Sequence, residues 1–213
     1  MDEKATGIIL RVRPLTETSL IIHWLTGEAG RIATVAKGAR RPKSPFRGKL
    51  DLFFSAQFTF RRSSRSELHV LREVDILDSH PVLRTSMGYL NQAAYAAALI
   101  EQVTETETPI PELFQLVRDY LAYVSTRPNG PLPVFAFEMK LLNELGLHPD
   151  LGEAKLSEGS RKVLQKCNEL DWAALSMLKL SGGQISEIQQ FLHSFLILNL
   201  GRILPGRAGA LDV

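Results

Sequence analysis

The densest run of chemistry-bearing side chains is Ala36-Lys37-Gly38-Ala39-Arg40-Arg41-Pro42-Lys43-Ser44-Pro45-Phe46-Arg47-Gly48-Lys49, with six cations, two prolines, two glycines and one aromatic ring. Gly and Pro disfavour both helix and strand, so these cations are expected on an exposed connection. Several cations on an adaptable loop anchored by a rigid sheet suit the binding of phosphates. Phe46 adds a ring on which a splayed base could stack for about 1–3 kcal/mol. The same ring could equally plug the open end of a barrel. Arg61, Arg62 and Arg65 form a second cluster, which either extends the track begun by the first loop or is a solvated hairpin tip.

Charge over the whole chain supports attention to this region. The 213 residues have a formal net charge of +2, but residues 1–80 hold 14 Lys/Arg against 9 Asp/Glu, and residues 81–213 hold 11 against 14. Residues 31–65 carry ten basic side chains and one acid, Asp51. Such asymmetry points to an anionic polymer as partner, or else to a solubilising surface.

Residues that would serve an enzyme are present but scattered. His23, His69, His80, His148 and His193 form no HExxH pair and stand at no helical metal spacing. No GxxxxGK[ST] loop occurs, and Ser181-Gly182-Gly183-Gln184 reads as a helix break. Glu101, Glu105 and Glu107 could seed a metal site of the kind a nuclease needs, although a solvated helix end accounts for them more simply. The expectation is a binding protein, with no catalytic residue, no metal and no cofactor. Cys167 stands alone, so neither an intrachain disulfide nor a Cys-rich zinc site is available. No apolar run approaches the roughly eighteen residues of a membrane span, and the acidic start is unlike a secretory leader. A soluble, cytoplasmic chain with no membrane partner is expected.

Two styles of sequence must position these side chains, and they meet near residue 80. Residues 7–13, 18–26, 31–37, 50–62 and 67–78 read as five short strands. In the fourth, Leu50, Leu52, Phe54, Ala56, Phe58 and Phe60 are expected on the apolar face. In the fifth, Leu68, Val70, Val74 and Ile76 are expected on one face. Phe53 falls on the polar face and either stacks a base or packs against the helical part, the latter being favoured. Closing five strands into a barrel removes exposed edges, and the size is that of an OB-fold. After His80-Pro81 the period becomes helical: 86–103, 111–125, 133–145, one or two helices within 161–180, and 184–200. The fold class is therefore α+β, an N-terminal five-stranded OB-fold barrel followed by an all-α helical domain. The division is 1–80, binding nucleic acid, and 81–213, docking protein.

The run AKGARRPKSPFRGKLDLF, preceded by GIILRVRPLTETSLIIHWLTGEAGRIATV, resembles the N-terminal domain of the RecO family of bacterial recombination mediators. PVFAFEMKLLNELGLHPDL is similar to that family's central helix, and FLHSFLILNLGRILPGRAGAL more distantly to its C-terminal helix. Residues 150–183 match poorly. Many members carry a four-cysteine zinc site after the LGLHPDL-like segment, where this chain has Asp150-Leu151-Gly152-Glu153-Ala154-Lys155-Leu156, so it resembles a zinc-free member.

The resemblance implies an OB-fold and a helical domain without catalytic chemistry, DNA repair and recombination as the role, and a bacterial, nucleoid-associated location. It implies binding of single- and double-stranded DNA, strand annealing, and help in loading RecA onto coated single strands. The implied partners are a RecR-like mediator and the acidic C-terminal tail of the single-stranded-DNA-binding protein. Lys37, Gly38, Arg40, Arg41, Lys43 and Arg47 match the family's basic motif. With Phe46, Lys49, Arg61, Arg62 and Arg65, its cations complete the expected DNA-binding set. An RNA-binding OB-fold factor and a pure protein adaptor are the alternatives.

Overall fold

The computed structural model describes residues 2–126, 130–202 and 205–212. Its first elements are the strands β1 (Asp2–Pro14), β2 (Leu20–Thr26), β3 (Gly30–Ala36), β4 (Ser55–Arg61) and β5 (Leu68–Asp78), closed into a barrel in the order β1-β2-β3-β5-β4. Closure depends on the length of β1. Its residues 2–8 pair with β4 and its residues 7–14 with β2, both antiparallel. A short parallel pairing of Ala33–Val35 with Leu68–Val70 completes the ring. At Gly7, where β1 serves both neighbours, an added Cβ would stand 3.0 Å from Leu25 O, Phe58 Cε1 and Thr26 Cγ2, so the backbones can meet only at glycine.

The barrel core is aromatic. Trp24 stacks on Phe58 at 4.0 Å between centroids, and its Nε1–H donates to Thr34 Oγ1 at 2.9 Å. Phe54, Phe58 and Phe60 are buried, as the apolar alternation indicates.

Two details depart from that alternation. The fourth strand begins at Ser55, because 51–54 form a turn: Leu52 N–H binds Asp51 Oδ1, and Phe53 takes a φ of 64°. Leu52, expected inside, is therefore 39% exposed, while Phe53 is buried and its N–H donates to Ile9 O at 2.8 Å. In β5 a bulge at Arg72 puts Glu73 opposite Thr59 and Leu71 opposite Phe60. One extra residue reverses the facing of all that follow. His69 and Leu71 before it and Val74 after it thus all point inward, while Leu68 and Val70 are only partly buried. Ile76, on the face of Val74, is 39% exposed beside a second register shift between Ala56 and Ser55.

The chain divides into two compact units, Met1–Pro81 with Thr104–Gln115, and Val82–Val103 with Leu116–Val213. The segment 104–115 belongs to the barrel unit through local bonds. Glu107 N–H donates to Arg31 O at 2.8 Å, and Arg31 bridges Thr106. Gly30, at φ 67°, could not carry a Cβ without striking the Thr108 backbone.

The helices are α1 (Met87–Val103), α2 (Pro111–Val124), α3 (Leu132–Glu144), α4 (Glu158–Glu169), α5 (Trp172–Leu175), α6 (Gly182–Leu200) and α7 (Gly206–Leu211). Leu113, Leu116, Val117, Tyr120 and Leu121 of α2 are all buried, as their spacing predicts. Gly182-Gly183, read as a break, instead form the first turn of α6. Ser181 and Gln184 close a reciprocal cap over them, with Ser181 N–H donating to Gln184 Oε1 at 2.9 Å. The short α7 lies beyond the helical spacing of 184–200. It is fixed by an ion pair inside the helical unit, where Arg207 meets Glu138 through Nε–Oε1 at 2.7 Å and Nη2–Oε2 at 2.9 Å. Tyr95 donates to the same carboxylate at 2.6 Å, and burial together with Glu138 pushes its phenol pKa up, so it remains a donor.

Candidate nucleic-acid interface

Residues 37–49 open the connection from β3 to β4 as a succession of tight turns stitched by their own backbone. Arg41 N–H donates to Gly38 O, Ser44 to Arg41 O, Arg47 to Ser44 O and Lys49 to Phe46 O, at 3.0 to 3.2 Å. Gly38 and Gly48 supply the left-handed backbone that such turns require. The loop is also fastened to the β1–β2 turn. Arg40 N–H donates to Thr18 O at 3.0 Å, Arg40 Nη1 to Thr16 O at 3.3 Å, and Gly38 N–H to Ser19 Oγ at 3.4 Å. This fastening was not legible in the cation run. Its signal is the hydroxyl-rich Thr16-Glu17-Thr18-Ser19, a composition that favours hydrogen-bonded turns.

Phe46 is 6% exposed and belongs to the barrel core. Its assignment to the DNA-binding set is therefore corrected. A ring buried in the barrel core offers no face to a base, and it acts as the plug that pins the loop. Around it Lys37, Arg40, Arg41, Lys43 and Arg47 are exposed, and among the described residues none of the five forms an ion pair. Lys49 differs. Its Nζ donates to Val74 O at 2.7 Å and lies 3.8 Å from Asp75 Oδ1, so it ties the loop to β5.

The second cluster follows β4, where Arg61 stands opposite Val70 of β5, whose neighbour on the other side is Val35 near the end of β3. Arg61 pairs with Asp2 at 2.9 Å, and Arg62 forks onto Glu3 at 2.9 and 3.1 Å while reaching Glu107 at 3.0 Å. His69 Nε2 lies 2.9 Å from Glu107 as well, out of line for a hydrogen bond, and its ring stacks on Phe60. Two of the three expected phosphate ligands are thus already neutralised by carboxylates, which leaves Arg65 exposed.

The pairing has a consequence in acid. The hydrogen bond from Arg62 holds the Glu3 carboxyl below its ordinary 4.5, and that from Arg61 holds Asp2 below 3.8, against a weaker opposing effect of burial. Depressed carboxylates add stability above their unfolded values and lose it as pH falls through the folded ones. Thermal unfolding of the barrel should therefore drop progressively below about pH 4.5. Glu3→Gln should flatten that dependence while lowering the midpoint at neutral pH, as followed by circular dichroism.

The chain offers no fit to a zinc ion where related proteins are expected to hold one. Asp150 Oδ1 is occupied by the N–H groups of Gly152 and Glu153, and Cys167 is buried in the helical core, its thiol pushed up to about 12 by burial. Among the described residues no group of three or more His, Cys, Asp or Glu could hold a metal ion. None of their helices is long and apolar enough to cross a membrane.

A closed five-stranded barrel with a pinned cationic loop, followed by a helical unit, defines an OB-type binding protein with an appended α-helical part. The chain belongs to the RecO family. Residues 1–80 match the family description "Recombination protein O N terminal" and residues 90–153 match "Recombination protein O C terminal". It is similar to the DNA repair protein RecO of Anaeromyxobacter dehalogenans, at 33% identity over 96% of this chain and 94% of that protein. It is also similar to the proteins of the same name from Bacillus subtilis, at 30% over 71% of this chain, and Listeria monocytogenes, at 29% over 72%. These two matches span only 58% and 60% of the relatives' own lengths.

Proposed function

We propose that this chain is a DNA repair and recombination mediator that captures single- and double-stranded DNA on the 37–49 loop. The observation that carries this reading is the set of five exposed cations, free of ion pairs among the described residues, on a loop locked by Phe46 and the β1–β2 turn. Held on a rigid frame, the cations neutralise phosphates without the loop first having to be ordered. Two strands gathered on one such surface repel each other less, which favours annealing. In the cell the chain works in the cytoplasm at the nucleoid, helping recombinase onto coated single strands with a RecR-like partner. In the helical unit, an apolar groove of about 340 Å³ between Tyr123, Leu132, Pro133, Leu178 and Ile185 is the proposed seat for the acidic tail of the single-stranded-DNA-binding protein. The chain itself needs no catalytic group for any of these steps.

Salt dependence tests the reading. Each phosphate neutralised on a single strand contributes a log–log slope of about −0.7. Six cations would give a slope near −4, and the five that are free give about −3.5. Titrating a labelled oligonucleotide across a salt series should return the latter value. Lys49→Ala, Arg61→Ala and Arg62→Ala should leave it nearly unchanged. A slope near zero in the wild type would overturn the proposal.

A further inference from the structure

The loop gathers phosphates yet shows no ring, since Phe46 faces the core. A strand held by phosphates alone would leave its bases without a protein surface. An apolar side chain stands on the turn to which the loop is fastened. Leu15 is 45% exposed at the head of that turn. An exposed leucine is ordinary in itself; its setting is not. Leu15 N–H and Thr16 N–H both donate to Ser19 O, at 3.0 and 3.3 Å, and Thr16 Oγ1 accepts from the N–H groups of Thr18 and Ser19. The side chain therefore projects from a preordered turn, one residue from the Thr16 carbonyl that binds the Arg40 guanidinium. The turn's own ionisable residue is the exposed anion Glu17, which turns phosphates away from the tip and towards Arg40.

We infer that Leu15 supplies the apolar contact for a base of a single strand whose phosphate rests on Arg40. The occupant is a nucleobase, recognised through its face rather than its edge, so the contact is tolerant of sequence. This rests on the loop being the DNA-binding site, and it adds to that reading the β1–β2 turn and a non-ionic component of affinity. Because an apolar contact releases no counterion, its removal should weaken binding without altering the salt slope.

The experiment compares wild type, Leu15→Ala, Leu15→Trp and Arg40→Ala on a single-stranded oligonucleotide and on the same strand made abasic. Leu15→Ala should bind the intact strand about fivefold more weakly with an unchanged slope, and should bind the abasic strand like wild type. Leu15→Trp should bind the intact strand more tightly, with its fluorescence quenched by the bases. Arg40→Ala should make the slope shallower by about 0.7 on both strands. If Leu15→Ala binds like wild type, or loses equally on the abasic strand, the inference is overturned while a steep wild-type slope still upholds the loop. A flat wild-type slope would instead sink the reading on which both depend.

Discussion

Reversing two charges, Arg40→Glu with Arg41→Glu, is expected to weaken single-strand binding by about a hundredfold at 0.1 M salt. At that concentration a slope of −0.7 per phosphate makes each neutralised phosphate worth about fivefold relative to 1 M salt. Losing two contacts costs about 25-fold on that basis, and the repulsion of two new carboxylates adds to it. The fold should survive. Both side chains are exposed and without ion pairs among the described residues, and the Arg40 backbone bond to Thr18 O is kept by any residue. The loss should shrink as salt rises, because the contacts removed are ionic. Fluorescence anisotropy at several salt concentrations measures both features. A salt-independent loss would mean that the loop had been misfolded rather than discharged.

The second large effect lies in the helical unit. Arg207→Met leaves the Glu138 carboxylate buried with Tyr95 as its only hydrogen-bond partner among the described residues, and α7 loses its anchor. Breaking one side of a buried pair typically costs about 3–5 kcal/mol, because the remaining charge is desolvated without compensation. Adding Glu138→Gln removes that stranded charge and keeps an acceptor for the Tyr95 hydroxyl, so the double variant should recover much of the loss. Urea denaturation followed by circular dichroism separates the two. A single variant within about 1 kcal/mol of wild type would show that the pair is solvated in solution.

What the sequence made legible follows from the range of the interactions involved. Strands and helices announced themselves through local periodicity, and Leu113, Tyr120, Phe135 and Leu142 are buried where spacing puts them. Positions that failed were decided by something non-periodic. Leu52 sits in a turn set by the Asp51 side chain, a bulge puts Leu71 rather than Val70 on the face of Val74, and Gly182 is held helical by a cap. At the site, residue type was enough to find the cations but not their partners. Arg61 and Arg62 meet Asp2 and Glu3, 59 residues away in sequence, and Arg62 also meets Glu107 across 45. Glu107, read as a solvated helix end, proved to be part of the barrel unit. Phe46 had two readings from sequence because a ring flanked by Pro45 and Arg47 faces core or solvent according to how the loop folds back. The backbone bonds and the barrel's open end settle that choice.

The account's central claim is that the pinned cationic loop brings nucleic-acid strands together. Annealing of two complementary single-stranded oligonucleotides, followed by the quenching of paired dyes with increasing salt, tests it most directly. The wild type should accelerate annealing at low salt and lose the effect as salt rises, and Arg40→Glu/Arg41→Glu should show none at any salt. Wild-type protein that is folded and yet leaves the annealing rate unchanged, or a charge-reversed variant that accelerates it equally, would contradict the account.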